Sequence, residues 1–231
     1  MVEKVIVVKL GGHVFSPEPD PNKLRGYVDI FKQLRSEGYR VVVVTGGGRT
    51  ARTFINTARE LGATESFCDI IGIEATRLNA ELLIAGLGEE ASSNVPTSVD
   101  KLIEAADRGK VVVLGGLIPG QSTDAVAAMT AELLSASLLI KATDVDGVYS
   151  ADPKKDAKAK KLDKVTYSEL RRLSMRGELG AGGYQLFDPS AIRFIERSSI
   201  STVILDGRDP TNILKAVRGE KIGTLIIRDK S

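Results

Sequence analysis

The chain has 231 residues, enough for one large α/β domain or two tightly packed lobes. Hydrophobic residues make up 42% of it, but no apolar run reaches the roughly 18 residues that a bilayer-spanning helix needs. Net charge is +2, from 32 basic and 30 acidic side chains gathered in no single arm, which sets the chain apart from dedicated nucleic-acid binders.

Residues Met1 to Leu10 alternate charge with β-branched residues and lack the basic-then-apolar layout of a leader peptide, so a cytoplasmic protein is expected. Val5–Leu10 reads as the first buried strand. Asp20 then supplies an N-cap before Pro21 at the first position of a helix, and Gly38 sits where that helix should stop. Arg40–Thr45 reads as the second strand. The single cysteine, Cys68, excludes an intrachain disulfide and reads as a small packed residue. An apolar helix is expected over Ile70–Leu87, with Asp69 beside its start. Ser98 can cap a helix over Val99–Arg108, which Gly109 ends. Strands are expected at Lys110–Leu114, Leu138–Ala142, Thr202–Leu205 and Thr224–Ile227. Between them, Thr143–Pro153 reads as a short hairpin or tight loop around Asp146-Gly147. The basic run Lys154–Lys161 reads as a solvated loop, and Arg176–Gly183, with four glycines, as another loop. Asp188-Pro189 and Asp209-Pro210 repeat the capped-proline start. Strands alternating with helices imply a mainly parallel sheet covered on both faces.

Three glycine-rich stretches each follow a predicted strand. They are Lys9-Leu10-Gly11-Gly12-His13, then Thr45-Gly46-Gly47-Gly48-Arg49-Thr50-Ala51-Arg52, then Gly115-Gly116-Leu117-Ile118-Pro119-Gly120-Gln121-Ser122-Thr123-Asp124. In an open parallel sheet all three lie at the carboxyl edge, where ligands bind. Glycine lets backbone approach a phosphate closely, and free N–H groups at a following helix start point at the anion. Arg52 falls near the start of such a helix, where its fork can reach a phosphate oxygen. Ser122 and Thr123 can cap their helix or donate to phosphate. One such turn alone is weak support for phosphate binding; three at one edge, with cations, are much stronger. The P-loop pattern, the G-x-G-x-x-G dinucleotide fingerprint and the protein-kinase signatures are all absent.

At these residues the chain resembles the amino acid kinase family, and within it the archaeal branch of UMP kinases. The likeness spans essentially all 231 residues, read as one domain. Its further pieces are Asp69-Ile70-Ile71-Gly72-Ile73 with Thr76-Arg77-Leu78-Asn79-Ala80, then Ala142-Thr143-Asp144-Val145-Asp146-Gly147-Val148-Tyr149, Ala151-Asp152-Pro153 and Gly223-Thr224-Leu225-Ile226. The resemblance implies a three-layer α/β sandwich around a mainly parallel sheet, and γ-phosphoryl transfer from ATP to UMP. It assigns Lys9, Gly11, Gly12, His13, Gly48 and Arg52 to the ATP phosphates, with Lys141 as a second phosphate-binding lysine. His13 departs from the family's usual small hydroxyl residue. Thr143, Tyr149 and Asp152 are assigned to the adenosine end. Gly47, Asp69 and the loop Leu117, Ile118, Pro119, Gly120, Gln121, Ser122 and Thr123 are assigned to UMP. Mg²⁺ is expected to ride on the ATP phosphates, and a homohexamer built from dimers is implied.

Several residues keep a plainer alternative. Asp124 orients Lys9 or the ion's water shell, or else caps the helix beginning near Thr123. Asp69 either accepts from the ribose of UMP or is an ordinary N-cap. Tyr149 stacks near adenine or packs its ring in the hairpin, and Asp152 is a nucleotide contact or a turn residue. Lys9 is taken as the main catalytic cation, with Arg52 and Asp124 beside it. Two other activities compete: a kinase for another small acid, against which the Asp69 to Ala80 stretch argues, and a nucleotide-binding protein without turnover, against which Lys9 and Arg52 argue.

Overall fold

The computed structural model describes residues 4–15, 17–151, 156, 158–175 and 187–229, and among these nine short runs, most of them β-branched or apolar, are strands, seven of which join one sheet. Strands β1 (Val5–Leu10), β2 (Arg40–Thr45), β3 (Val112–Leu114) and β4 (Leu138–Thr143) are parallel neighbours, followed by β8 (Thr202–Asp206). The order is β3-β2-β1-β4-β8-β9-β7, where β9 (Thr224–Ile227) runs antiparallel to β8 and β7 (Lys164–Thr166) lies parallel to β9. β5 (Val148–Tyr149) and β6 (Lys161–Leu162) form a separate antiparallel pair.

The strands are buried on both faces, so their side chains divide by parity. Val5 and Val7 of β1 join one apolar cluster with α4 (Val99–Ala106), α5 (Thr123–Leu133), α6 (Tyr167–Met175) and α7 (Pro189–Ser198). Ile6, Val8 and Leu10 join the other, with α1 (Pro21–Ser36), α3 (Glu65–Leu87) and α8 (Thr211–Val217). Helix α2 (Gly48–Glu60) packs on α3. The result is the expected sandwich of helices, sheet and helices.

The capping signals hold where they are local. Asp20 accepts from Asn22 N at 2.9 Å, Asp188 from Ser190 N at 2.6 Å and Ser98 from Lys101 N at 3.4 Å. Gly38 and Gly109 take φ of +86° and +67° just past the helix ends, a region open to glycine. Asp209 also accepts from Thr211 N at 2.9 Å, but there Pro210 is itself the N-cap and the helix starts at Thr211, one residue later than expected.

Several expectations need correction. Helix α3 starts at Glu65, capped by Thr64 through Phe67 N at 3.3 Å, so Asp69 lies inside the helix and is not its N-cap. Of the hairpin and the tight loop expected around Asp146-Gly147, the tight loop is found, since Val148–Tyr149 pairs with Lys161–Leu162 further along. Gly147 is needed for a different reason: a Cβ there would sit 2.6 Å from Thr224 Oγ1, which itself accepts from Val148 N at 2.8 Å. Strand β3 is two residues shorter than expected, and β7, three residues long with a leading lysine, carried too little pattern to be read. The loop expected at Arg176–Gly183 lies outside the described residues, as does most of the run from Lys154 to Ala157.

The first two glycine loops meet backbone to backbone. Gly46 N donates to Leu10 O at 2.9 Å, and Gly11 N donates to Ala142 O at 2.8 Å. A Cβ on Gly12 would overlap the backbone of Gly48, and one on Gly48 would overlap Gly12 O. Gly48 also takes φ +65°, opening α2 in a conformation that side chains disfavour. Since backbone on both sides must move, Gly12→Ala is expected to cost about 1–3 kcal/mol, seen as a lower urea midpoint at unchanged slope.

Candidate active site

Because β1 to β4 are parallel and in register, their carboxyl ends deliver the loops side by side. The order along that edge is the third glycine loop, the second, the first, and then the turn after β4.

Lys9 and Lys141 are paired in the β1–β4 register. By parity both point to the α5 side of the sheet, and there Asp124 lies between them. Lys9 Nζ is 3.3 Å from Asp124 Oδ1, and Lys141 Nζ is 2.6 Å from Asp124 Oδ2. Side-chain exposures of 14% for Lys9 and Asp124 and 5% for Lys141 make this a largely desolvated cluster. Burial alone would raise the Asp124 carboxyl, but the charges of Lys141 and Lys9 outweigh it and hold Asp124 below the ordinary carboxylate value. Burial pulls Lys141 below the ordinary lysine value, against the opposing pull of Asp124. Lys141 also sits 4.5 Å from the centroid of the Phe187 ring. Asp124 is beside Lys9 and does not cap the helix: Ser122 is the N-cap, accepting from Ala125 N at 3.1 Å.

The second and third loops border a cleft of about 290 Å³ lined by Gly47, Gly48, Arg52, Asp69, Gln121 and Thr123 among others. Arg52 stands exposed on its rim, one turn into α2. Asp69 Oδ2 accepts from Gly120 N at 2.8 Å, so the helix and the third loop meet here directly. Leu117 is buried, whereas Ile118, Pro119 and Gly120 are exposed beside this cleft and Gln121, Ser122 and Thr123 half-buried.

On the other side of Lys9, His13 lies in a short helical turn, residues Gly12–Val14. Its Nε2 is buried and has no hydrogen-bond partner among the described residues. A Cβ on Gly11 would lie 2.8 Å from His13 Cε1, so glycine there makes room for the ring. Thr143 ends β4, its Oγ1 donating to Asp144 Oδ1 at 3.2 Å, and Tyr149 donates to Asp146 Oδ1 at 2.9 Å. Tyr149 is half-buried and follows this turn by two residues. Asp152 lies outside the described residues.

Some residues of the site went without an individual role in the sequence. Thr45, Thr76 and Asn79 are buried polar residues around the second and third loops. The spacing Thr76-x-x-Asn79 on an apolar helix was the available signal, since buried polar side chains need partners.

Burial holds His13 below the ordinary histidine value of 6.5; Asp144 and Asp206 pull it up, while Lys23 and Lys9 push it down. The imidazole is therefore neutral at neutral pH. The folded chain binds this proton less readily than the unfolded chain, so stability is lost as pH falls below 6.5 until the folded imidazole protonates. His13→Asn should flatten that part of the curve, measured as urea midpoints from about pH 7 to about pH 5.

The chain matches the family model described as the amino acid kinase family over residues 4–206. The uridylate kinase of Hyperthermus butylicus is 47% identical over 221 residues, covering 96% of this chain and 97% of that relative. The uridylate kinase of Methanococcoides burtonii is 46% identical and covers 95% of this chain and 94% of the relative. The crystal structure of uridylate kinase from Archaeoglobus fulgidus superposes with a TM-score of 0.86 at 44% identity, covering 96% of this chain and 99% of that one. With a family match over residues 4–206 and relatives above 40% identity across nearly the whole chain, the chain belongs to the amino acid kinase family.

Proposed function

We propose that the chain is a UMP kinase, transferring the γ-phosphoryl group of ATP to UMP to give UDP and ADP in pyrimidine nucleotide synthesis. The observation that carries this is near-full-length identity of 44–47% to uridylate kinases. The cleft bounded by Asp69 and the third loop, beside the two-lysine cluster, is consistent with that reading.

The acceptor is a phosphate oxygen already anionic at neutral pH, so the reaction needs no general base. That oxygen attacks the γ-phosphorus as the bond to the β–γ bridging oxygen breaks, and the electron pair leaves with ADP. The chain's task is positioning and charge stabilisation. Lys9 follows the transferring group, with Lys141 as a second cation and Asp124 setting the positions of both. Gly12 and Gly48 offer backbone N–H groups, and Arg52 its fork, to the phosphates, while Gly11, whose N–H is held by Ala142 O, lets the backbone pass close to them. His13 offers a neutral ring nitrogen beside them. Thr143, Tyr149 and Asp152 serve the adenosine end. Gly47, Asp69 and the loop from Leu117 to Thr123 take UMP, with Asp69 accepting from its ribose.

The donor set suits an ion held through the nucleotide. Among the described residues no three His, Cys, Asp or Glu side chains gather to cage a cation, and the Asp124 carboxylate faces two lysines. Mg²⁺ would be held mainly by the ATP phosphates, where it neutralises charge on them. Among the described residues no helix is long and apolar enough to cross a membrane, and we place the activity in the cytoplasm.

Two measurements test the assignment. In a panel of acceptors with ATP, UDP should form from UMP; product only from another acid, or none from any, overturns it. Lys9→Ala should lower turnover about 10²–10³-fold with near-normal UMP binding by calorimetry; unchanged turnover removes Lys9 from the mechanism.

A further inference from the structure

We propose that Thr76 is a positioning residue that, together with Asn79 one turn further along α3, fixes the separation of the acceptor loop from the donor-side loops. This rests on reading the cleft as the acceptor site.

Both side chains are polar and only 6% exposed, in the middle of a helix whose neighbours on that face are apolar. Buried groups of this kind are kept only with partners, and theirs are all loop or helix backbone. Thr76 Oγ1 donates to Ile73 O at 2.6 Å and accepts from Gly116 N at 2.7 Å. Its one proton is thereby spent within the helix, and its lone pair holds the first residues of the third loop. Asn79 Nδ2 donates to Gly46 O at 2.8 Å, which holds the second loop. Thr45 at the end of β2 closes the arrangement: its Oγ1 is a donor shared between Thr76 O at 2.8 Å and Leu114 O at 3.1 Å.

The spacing admits no slack. A Cβ on Gly115 would lie 2.8 Å from Arg77 N, so the loop backbone rests on the helix backbone. A Cβ on Gly47 would lie 3.3 Å from Thr76 Cγ2, so one threonine abuts both loops. Nearer the start of the same helix, Asp69 takes Gly120 N. Helix α3 therefore holds the acceptor loop at Gly116 and Gly120 and the second loop at Gly46, and the second loop is packed against Gly12 of the first. At about 1.5 Å per residue, the helix is a rigid ruler of about 15 Å from Asp69 to Asn79. Phosphoryl transfer depends on the separation that this ruler sets, because misplacement of about 1 Å costs about 10²-fold in rate.

The test compares Thr76→Val, which keeps the shape and loses the hydroxyl, with Thr76→Ser, which keeps the hydroxyl. Thr76→Val should lower kcat/KM for UMP about 10–100-fold while leaving KM for ATP within about two-fold, and Thr76→Ser should stay near the parent. Hydrogen exchange at Gly116 N–H should be slow in the parent and in Thr76→Ser and fast in Thr76→Val. A parent-like kcat/KM for UMP in Thr76→Val, an equal rise in KM for both nucleotides, or unchanged protection at Gly116 overturns the proposal. Should Thr76→Val not fold, Asn79→Ala, which frees only Gly46, must raise KM for ATP as well as UMP; parent-like constants overturn it. A parent protein that does not phosphorylate UMP strikes the assigned acceptor, and exchange at Gly116 still decides the role of Thr76.

Discussion

Two lysines at one register position on adjacent parallel strands are the constraint around which this molecule is arranged. Neighbouring strands lie about 4.8 Å apart, so Lys9 and Lys141 are forced onto the same face and close together. Two ammonium groups in a partly dry site repel strongly. Asp124 from α5 answers both with its two oxygens. That answer ties α5 to β1 and β4 and makes helix placement an electrostatic matter as well as an apolar one. It also leaves a net positive charge, which suits the anionic donor of the proposed reaction. Burial that would be costly for an isolated lysine is made tolerable by the shared carboxylate and by the ring of Phe187.

The loops that surround this cluster are held by contact between backbones. Gly12 and Gly48 approach so closely that neither can carry a side chain, and the third loop lies in the same way against α3 at Gly115. Glycine thus has two uses at one edge. In the proposed reaction it leaves N–H groups open toward phosphates, and in the fold it lets separate loops act as one surface. The buried side chains of Thr45, Thr76 and Asn79 satisfy backbone groups at these junctions. Their hydrogen bonds specify where the loops sit, which apolar packing alone does not.

Local signals were legible to the residue. Asp20, Ser98 and Asp188 cap the helices that they precede, and the strands β1, β2 and β9 have the expected bounds. A cap or a β-branched run acts through neighbours in sequence, so its reading needs no knowledge of the fold. Asp69 shows the converse. Beside an apolar run a cap was its plainer alternative, but Thr64 is the cap and the helix extends to take Asp69 in. Strand β7 and the β5–β6 pair were illegible for a related reason. They are two or three residues long and are held by partners distant in the chain, such as Thr224, whose hydroxyl accepts from Val148 N and donates to Leu162 O.

By itself the sequence determined the alternation of strands and helices, the presence of three phosphate-type loops at one sheet edge, and, through resemblance, the family. Each of these is written in residue type and spacing along the chain. Only the tertiary structure decided what Asp124 does, since its partners Lys9 and Lys141 come from two strands that α5 must cross the sheet to meet. It likewise decided that Asp69 meets Gly120, and that Thr76 and Asn79 anchor loops. The physical reason is common to all of these: a hydrogen bond or ion pair between residues far apart in sequence depends on strand register and helix placement, and those are settled by packing the whole sheet.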